Sequence, residues 1–305
     1  MEHKIAVVIP FYKIAFFEEC LSSLASQSNK NFNVYIGNDA SNEDPNRIIE
    51  KFERALNISY KRFEINLGQK SLTKQWERCL ALIEKEEWFI LLGDDDYLSD
   101  NYVQKFYANI NLIKKYGLKV VRYASQEINE KGEVISKRFE HPVFQTFNDA
   151  FSMRFFEGSR SSLSEYIFSV EQYKKYGFRD LPLAWHADDL AWLEYSEFGD
   201  IFTINKATAF FRISTLNISR PNYLLEEKAN TQYCFFEIIV KEYLNKFDRN
   251  TARKILKRFE LLTYNLNKAS FKFWKFNILY FLKYFGLFES VKFSRRVFLK
   301  GIKNE

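Results

Sequence analysis

The feature that most limits what this chain can fold into is Glu87 to Asp100, EWFILLGDDDYLSD. Its apolar run Trp88-Phe89-Ile90-Leu91-Leu92 passes through Gly93 into Asp94, Asp95 and Asp96. A short continuous apolar run ended by glycine reads as a buried strand of a parallel sheet. Three adjacent carboxylates repel one another and make a poor ordinary turn, whereas ligands of open α/β sheets gather at the carboxyl ends of strands. An oxygen-rich cluster there suits a hard divalent cation, Mg²⁺ or Mn²⁺, which keeps waters and also takes phosphate oxygens. The same residues fit a solvated acidic turn that caps a helix starting near Ser99.

The chain before this stretch alternates strand and helix. Ile5 to Ile9 is a strand that stops at Pro10, with Phe11 and Tyr12 beyond it. Phe17, Cys20, Leu21 and Leu24 share one helical face, which predicts a helix over 14–27. Phe32 to Ile36 is a second strand, ending in Gly37-Asn38-Asp39-Ala40-Ser41; Ser41 or Asn42 can cap the next helix, whose apolar face is Ile48, Ile49, Phe52 and Leu56. Ile58 to Phe63 gives a third strand, closing in Asn66-Leu67-Gly68, and Leu72, Trp76, Cys79, Leu80 and Ile83 mark a helix leading to the central strand. This spacing predicts an α/β fold, an open and mostly parallel sheet flanked by helices. Successive strand ends then deliver Tyr12, Asp39 and the aspartate triplet to one edge.

A helix near 101–115 and a strand from Leu118 to Tyr123 follow, then a turn at Asn129-Glu130-Lys131-Gly132 between two short strands. Residues 137–165 carry no clear period. Ser169 with Gln172 forms a capping box for a short helix that Gly177 ends. The segment from Trp185 through His186, Ala187, Asp188 and Asp189 to Leu193 continues as a helix to Phe198, and two strands near 200–204 and 206–213 precede Ser214 to Arg220. The pattern divides into a domain over 1–220 and a helical extension over 221–305. In that extension Lys268, Lys272, Lys275, Lys283, Lys292, Arg295, Arg296, Lys300 and Lys303 face Glu289 as the one acid of 268–303, with aromatics from Phe271 to Phe293 between them. Basic amphipathic helices of this kind suit an anionic membrane interface. They equally suit docking of the aromatics on the preceding domain, with the lysines as the wet face.

The bulk properties exclude several classes. A net charge of +6 over 305 residues is modest, and no nucleic-acid-binding module is recognisable, so no nucleic-acid partner is expected. Cys20, Cys79 and Cys234 lie far apart without a CxxC, which argues against structural zinc and a disulfide framework and fits a reducing cytoplasm. The apolar run after MEHK is too short for a signal peptide. No stretch is long and apolar enough to predict a bilayer-spanning helix.

In order along residues 4–215, these motifs resemble family 2 glycosyltransferases of the GT-A fold. Val7-Val8-Ile9-Pro10-Phe11-Tyr12 resembles the family's opening strand, with Lys13 where an Asn is usual. Gly37-Asn38-Asp39-Ala40-Ser41 resembles its Asp-Asp-Gly-Ser segment, departing at Asn38 and Ala40, and Asn66-Leu67-Gly68 stands at its Asn/Gly loop. Leu92 to Leu98 resembles the Asp-x-Asp metal motif, and Asp188-Asp189 the Glu-Asp pair whose second member is the catalytic base. The late Arg-x-His motif becomes Arg212-Ile213-Ser214, without its His.

The resemblance implies an inverting, metal-dependent enzyme that uses Mn²⁺ or Mg²⁺. It would move a sugar from a nucleotide-sugar donor, a UDP-sugar above all, to a hydroxyl of a saccharide or lipid-linked acceptor. The setting it implies is bacterial surface-polysaccharide or capsule synthesis, in the cytoplasm or peripheral on the inner membrane face. Pro10 and Tyr12 would flank base and ribose, Asp39 would accept the uracil N3–H, and Asn66 and Gly68 would belong to the nucleotide pocket. Lys70 or Lys74 would reach the diphosphate, joined by Arg212. Asp94 or Asp95 would face ribose, and Asp96, with Asp95 as the neighbouring register, the metal. An inactive nucleotide-binding scaffold remains an alternative because of Ser214. A nucleotidyltransferase would want a Gly- and Lys/Arg-rich phosphate loop after the first strand, which FYKIAFFEE is not.

Transfer needs the acceptor hydroxyl to lose its proton, and a placed carboxylate acting as general base contributes ~10²–10⁴-fold. Asp189 suits that task, with Asp188 beside it; helix capping is the competing use of both. His186 reads as a partly buried structural or acceptor-pocket residue, Trp185 as a sugar-stacking surface, and Trp192 as core.

Overall fold

Strand β1 (Ile5–Phe11) is enclosed on both faces, and the sheet extends from it in both directions. The computed structural model describes residues 4–215, 224–268 and 270–301. Helix α1 (Phe17–Ala25) returns along the sheet and buries Phe17, Cys20, Leu21 and Leu24 completely, each large apolar side chain contributing about 1.5–3 kcal/mol. Strand β2 (Phe32–Asn38), helix α2 (Asn46–Phe52), strand β3 (Ile58–Arg62), helix α3 (Leu72–Leu80) and strand β4 (Trp88–Leu91) follow the expected alternation. β1 pairs in parallel with both β2 and β4, and β2 with β3. Parallel pairing puts the ends of β1, β2 and β4 on one edge.

Beyond β4 the sheet becomes mixed. Two-residue β5 (Tyr97–Leu98) leads into helix α4 (Tyr102–Lys115) and long β6 (Val120–Ile128). The unassigned stretch 137–165 contains β7 (Phe144–Thr146) and α5 (Phe147–Phe156). Next come β8 (Tyr166–Ser169) and α6 (Val170–Tyr176), then α7 (Ala187–Tyr195) and β9 (Asp200–Arg212). The strand order is β3-β2-β1-β4-β8-β6-β9-β5, with β7 on β9. Two expectations need correction. The strands near 200–204 and 206–213 are one strand, β9, whose irregularity is a register shift against Tyr123 and Ala124 of β6. Ser169 does precede α6, but its side chain makes no capping hydrogen bond, so the capping box is absent; Gly177 ends the helix at φ 64°.

The chain separates into two compact units, Met1–Asn222 and Tyr223–Glu305. The second contains α8 (Leu225–Ile238), α9 (Arg249–Asn265), α10 (Phe271–Phe285) and α11 (Leu287–Gly301). Within it Phe281 stacks on Phe293 at 4.2 Å, and Phe273 meets Phe259 at 5.6 Å, so these aromatics form the unit's own core. Among the described side chains of α10 and α11, the exposed large apolar residues are Leu279, Leu282, Leu287, Phe288 and Val291. No described helix is long and apolar enough to cross a membrane. Segment 216–223 lies outside the described residues, as do Lys303 and the side chains of Phe271, Lys272, Trp274, Phe276 and Lys300.

Candidate functional site

β4 ends under a cavity of about 660 Å³ lined by residues from most of the sheet's carboxyl edge. Past Leu92 the chain turns, with Asp96 N–H donating to Gly93 O at 3.2 Å. This tight turn is why three charged residues can follow a fully buried strand. Asp94 Oδ2 accepts from the backbone N–H groups of Tyr12 and Lys13, both at 2.8 Å, tying the β4 turn to the end of β1. Asp96 is 2 % exposed and accepts from Ser164 Oγ at 2.5 Å and from Arg212 N–H at 3.0 Å. All three carboxylates line the cavity. Burial first, and the Asp95 charge second, push Asp94 and Asp96 up to about 7.

Gly93 leaves room for the carboxylates. A Cβ there would lie 2.9 Å from Asp95 Oδ1 and 3.2 Å from Asp96 Oδ2, so those two oxygens converge on space that only glycine leaves open. No group of three or more His, Cys, Asp or Glu side chains forms a ready metal cage among the described residues. Two hard carboxylate oxygens in one cradle still fit Mg²⁺ or Mn²⁺, which bind through one or two carboxylates plus phosphate oxygens and water.

The other side of the chemistry comes from 182–189. Leu183, Ala184 and His186 all have positive φ, at 58°, 51° and 68°, a costly run of left-handed non-glycine residues of the kind found at functional sites. The contorted segment sends Leu183, Ala184, Trp185, His186 and Asp188 to the cavity wall at the start of α7. Asp189 does not line it. Asp189 is fully buried, accepting from Arg154 Nε at 3.1 Å and Nη2 at 3.3 Å, and from Trp192 Nε1 at 3.3 Å, while His186 Nδ1 lies 2.7 Å away. Burial opposes its charge, yet Arg154 and His186 outweigh burial and hold its carboxyl well below the usual range. Asp188 goes the other way: enclosure, then the neighbouring Asp189 charge, push it well above the usual range. In this structure Asp188, the first member of the pair, faces the cavity, while the carboxylate of Asp189 is engaged by Arg154, Trp192 and His186.

The remaining expected residues divide. Pro10 and Tyr12 line the cavity with the triplet, Trp185 and His186. Asp39, Asn66, Gly68, Lys70, Lys74 and Arg212 do not. Asp39 accepts from Leu67 N–H at 2.7 Å and Gly68 N–H at 2.8 Å and pairs with Arg78, so here it fastens β2 to the 66–68 turn. A Cβ on Gly68 would come 2.5 Å from Asp39 Oδ2, which explains the glycine. Asn66 Oδ1 accepts from Gln69 N–H at 2.9 Å within that turn. Lys70 and Lys74 are exposed. Arg212 is fully buried, donating to the carbonyls of Asp95 at 2.9 Å and Asn129 at 2.9 Å, pairing with Glu19, and lying 4.3 Å over the Phe16 ring. It is a clamp beneath the triplet rather than a group aimed into the cavity.

Several lining residues were not among the expected site residues: Glu127, Arg154, Arg160, Phe211, the serines at 161, 162 and 164, and Trp76, expected only on the apolar face of a helix. Arg154 sits in FNDAFSMRFF, where one cation among aromatics is itself a sign that a buried partner awaits it.

Residues 6–167 match the glycosyl transferase family 2 sequence family. Poly(ribitol-phosphate) beta-N-acetylglucosaminyltransferase TarS of Staphylococcus aureus strains Mu50 and MW2 is 29% identical over 126 residues, 38% of this chain and 21% of the relative. The chain thus matches about a fifth of the length of these curated relatives. Crystal structures of S. aureus TarS 1–349 with UDP and with UDP-GlcNAc superpose at TM-scores of 0.61 and 0.64, with 18% and 17% identity, over 86% of this chain and 72% and 73% of theirs. The fold is that of these GT-A structures, and the family match spans more than half of the sequence: the chain belongs to glycosyl transferase family 2.

Proposed function

We propose that this enzyme transfers a sugar from a UDP-sugar to a hydroxyl of a saccharide or polyol-phosphate acceptor in cell-surface polymer synthesis, with inversion. The observation that carries the proposal is one cavity holding both the aspartate triplet and a carboxylate whose pKa is raised, Asp188. UDP and the polymer setting are suggested by the TarS relatives, whose names and complexes mention both.

In this account Pro10 and Tyr12 flank the nucleotide, and Asp95 and Asp96 would hold a divalent ion against the diphosphate. When bound, that ion supplies Lewis-acid stabilisation of charge on the leaving group, worth several kcal/mol. Asp188 takes the proton from the acceptor hydroxyl as its oxygen bonds to the anomeric carbon and the bond to the diphosphate breaks. UDP departs with the bonding electrons. A base whose pKa lies near the working pH combines availability with driving force. Asp189, Arg154 and His186 position Asp188 without entering the reaction. Trp185 offers an aromatic face to the acceptor.

The exposed Leu279, Leu282, Leu287, Phe288 and Val291 lie among exposed Lys275, Lys283, Lys292 and Arg295. Apolar side chains ringed by cations match an anionic lipid surface, so a peripheral membrane location is part of the proposal. The test of function is UDP release from a panel of UDP-sugars with purified protein and Mn²⁺, with and without saccharide or polyol-phosphate acceptors. Acceptor-dependent release supports transfer; UDP binding without any turnover would favour an inactive scaffold.

A further inference from the structure

On the triplet side of the cavity, Arg160 lies with its guanidinium 4.2 Å over the Phe211 ring and its Nε 3.5 Å from Glu127 Oε1. Glu127 and Phe211 are register partners on adjoining β6 and β9, so the sheet itself presents the carboxylate and the ring side by side. All three line the cavity. The Arg160 side chain is only 13% exposed, and its Nη1 is buried with no acceptor among the described residues. That nitrogen is enclosed behind the wall, so a ligand in the cavity meets the rest of the guanidinium and the Glu127 carboxylate beside it.

Two links fix which part of a ligand would meet it. Ser164, four residues after Arg160, donates to Asp96 Oδ2 at 2.5 Å. Arg212, next after Phe211, donates its N–H to Asp96 Oδ1 at 3.0 Å. The Arg160–Glu127 pair is therefore built onto the supports of Asp96, beside the place where a donor diphosphate would end and its sugar begin. The pair offers one cationic donor and one anionic acceptor at adjacent points. Hydroxyl groups both donate and accept and match such a pair, whereas a phosphate or carboxylate would meet repulsion from Glu127.

We propose that Arg160 and Glu127, seated on Phe211, form the subsite that reads the transferred sugar of the donor, selecting a neutral sugar by its hydroxyl or amide oxygens. This rests on the donor-site reading given above. A sugar oxygen accepts from the part of the Arg160 guanidinium that lines the cavity, while Glu127 accepts from a sugar O–H or N–H and discriminates against uronic donors.

The test is calorimetric binding to full-length protein with Mn²⁺, using UDP, UDP-glucose, UDP-GlcNAc and UDP-glucuronate. In Arg160→Gln and Arg160→Lys, UDP itself should bind within about twofold of wild type, which also shows that the variants fold. The dissociation constant of the best neutral UDP-sugar should rise roughly tenfold or more, the effect of losing a hydrogen bond from a charged group. Glu127→Gln should narrow the gap between UDP-glucuronate and UDP-glucose. An equal loss of UDP and UDP-sugar binding makes Arg160 a phosphate contact and overturns the inference. So does unchanged binding of every ligand, or wild-type preference for UDP-glucuronate. Wild type that binds neither UDP nor any UDP-sugar overturns the donor site itself, and this inference with it.

Discussion

Arg154 grips Asp189 with two nitrogens, Nε at 3.1 Å from Oδ1 and Nη2 at 3.3 Å from Oδ2, one residue away from the carboxylate that faces the cavity. This pairing keeps Asp189 charged and immobile and leaves Asp188 to carry the raised pKa. Asp189→Asn should leave the guanidinium uncompensated. Breaking a buried pair typically costs 3–5 kcal/mol; with Arg154 26% exposed, a loss of about 2–4 kcal/mol is expected in urea unfolding. UDP should still bind. The acidic limb of the pH–rate profile should move to lower pH, because Asp188 loses a negative neighbour and gains access to Arg154. A limb that stays in place contradicts this coupling.

Gly93 gives a test of the cation cradle. In Gly93→Ala the new Cβ would collide with Asp95 Oδ1 and crowd Asp96 Oδ2. Mn²⁺-dependent UDP affinity should fall by about tenfold, or 1.4 kcal/mol, while the affinity in EDTA changes little. Equal losses with and without metal would place the damage in the fold rather than in the cradle.

Ala40 occupies a left-handed position, φ 53°, at the turn after β2. A left-handed alanine costs roughly 1–2 kcal/mol, part of which a glycine returns as chain entropy in the unfolded state. Ala40→Gly should therefore stabilise the protein by up to about 1 kcal/mol in denaturant titration with activity retained. A destabilised variant would show that the Ala40 methyl packs more usefully than its backbone is strained.

Strands β1, β2 and β4 were legible because they are buried along nearly their whole length and are mostly apolar, and β3 as a short, half-exposed edge strand; their order carried Tyr12 and the triplet to one edge. Strand β7 has three residues, too few for any period, and α5 is apolar around most of its circumference, so 137–165 gave no pattern to follow. Arg154 and Arg160 escaped notice there for that reason. The Asp188–Asp189 pair was legible as a pair, but which member faces the cavity depends on the left-handed backbone at Leu183, Ala184 and His186, and no residue type there announces it. Arg212 was legible as important; its role as a clamp depends on carbonyls of Asp95 and Asn129 that only the fold brings to it. In the second unit the aromatics drew attention, yet Phe281 and Phe293 turned inward and the exposed apolar residues are chiefly leucines.

That surface predicts binding to anionic vesicles. Leu287→Ser with Phe288→Ser removes two side chains that are each 72% exposed, so folding should be little affected. Each is worth up to about 1.5–3 kcal/mol when fully buried, so partitioning into phosphatidylserine vesicles should fall by tenfold or more. Flotation of the double variant equal to wild type, or failure of wild type to float, contradicts the membrane surface.

The most direct measurement of the account is the pH dependence of kcat/KM for wild type beside Asp188→Asn, in UDP-sugar transfer with Mn²⁺. Wild-type activity should rise with pH as Asp188 loses its proton, through an acidic limb well above the pH of about 4 at which an unshifted aspartate titrates. Asp188→Asn should lose that limb and ~10²–10⁴-fold in rate while binding UDP as wild type does. A variant that keeps both its rate and its limb, while Asp189→Asn loses them, would return the base to Asp189 and contradict the account.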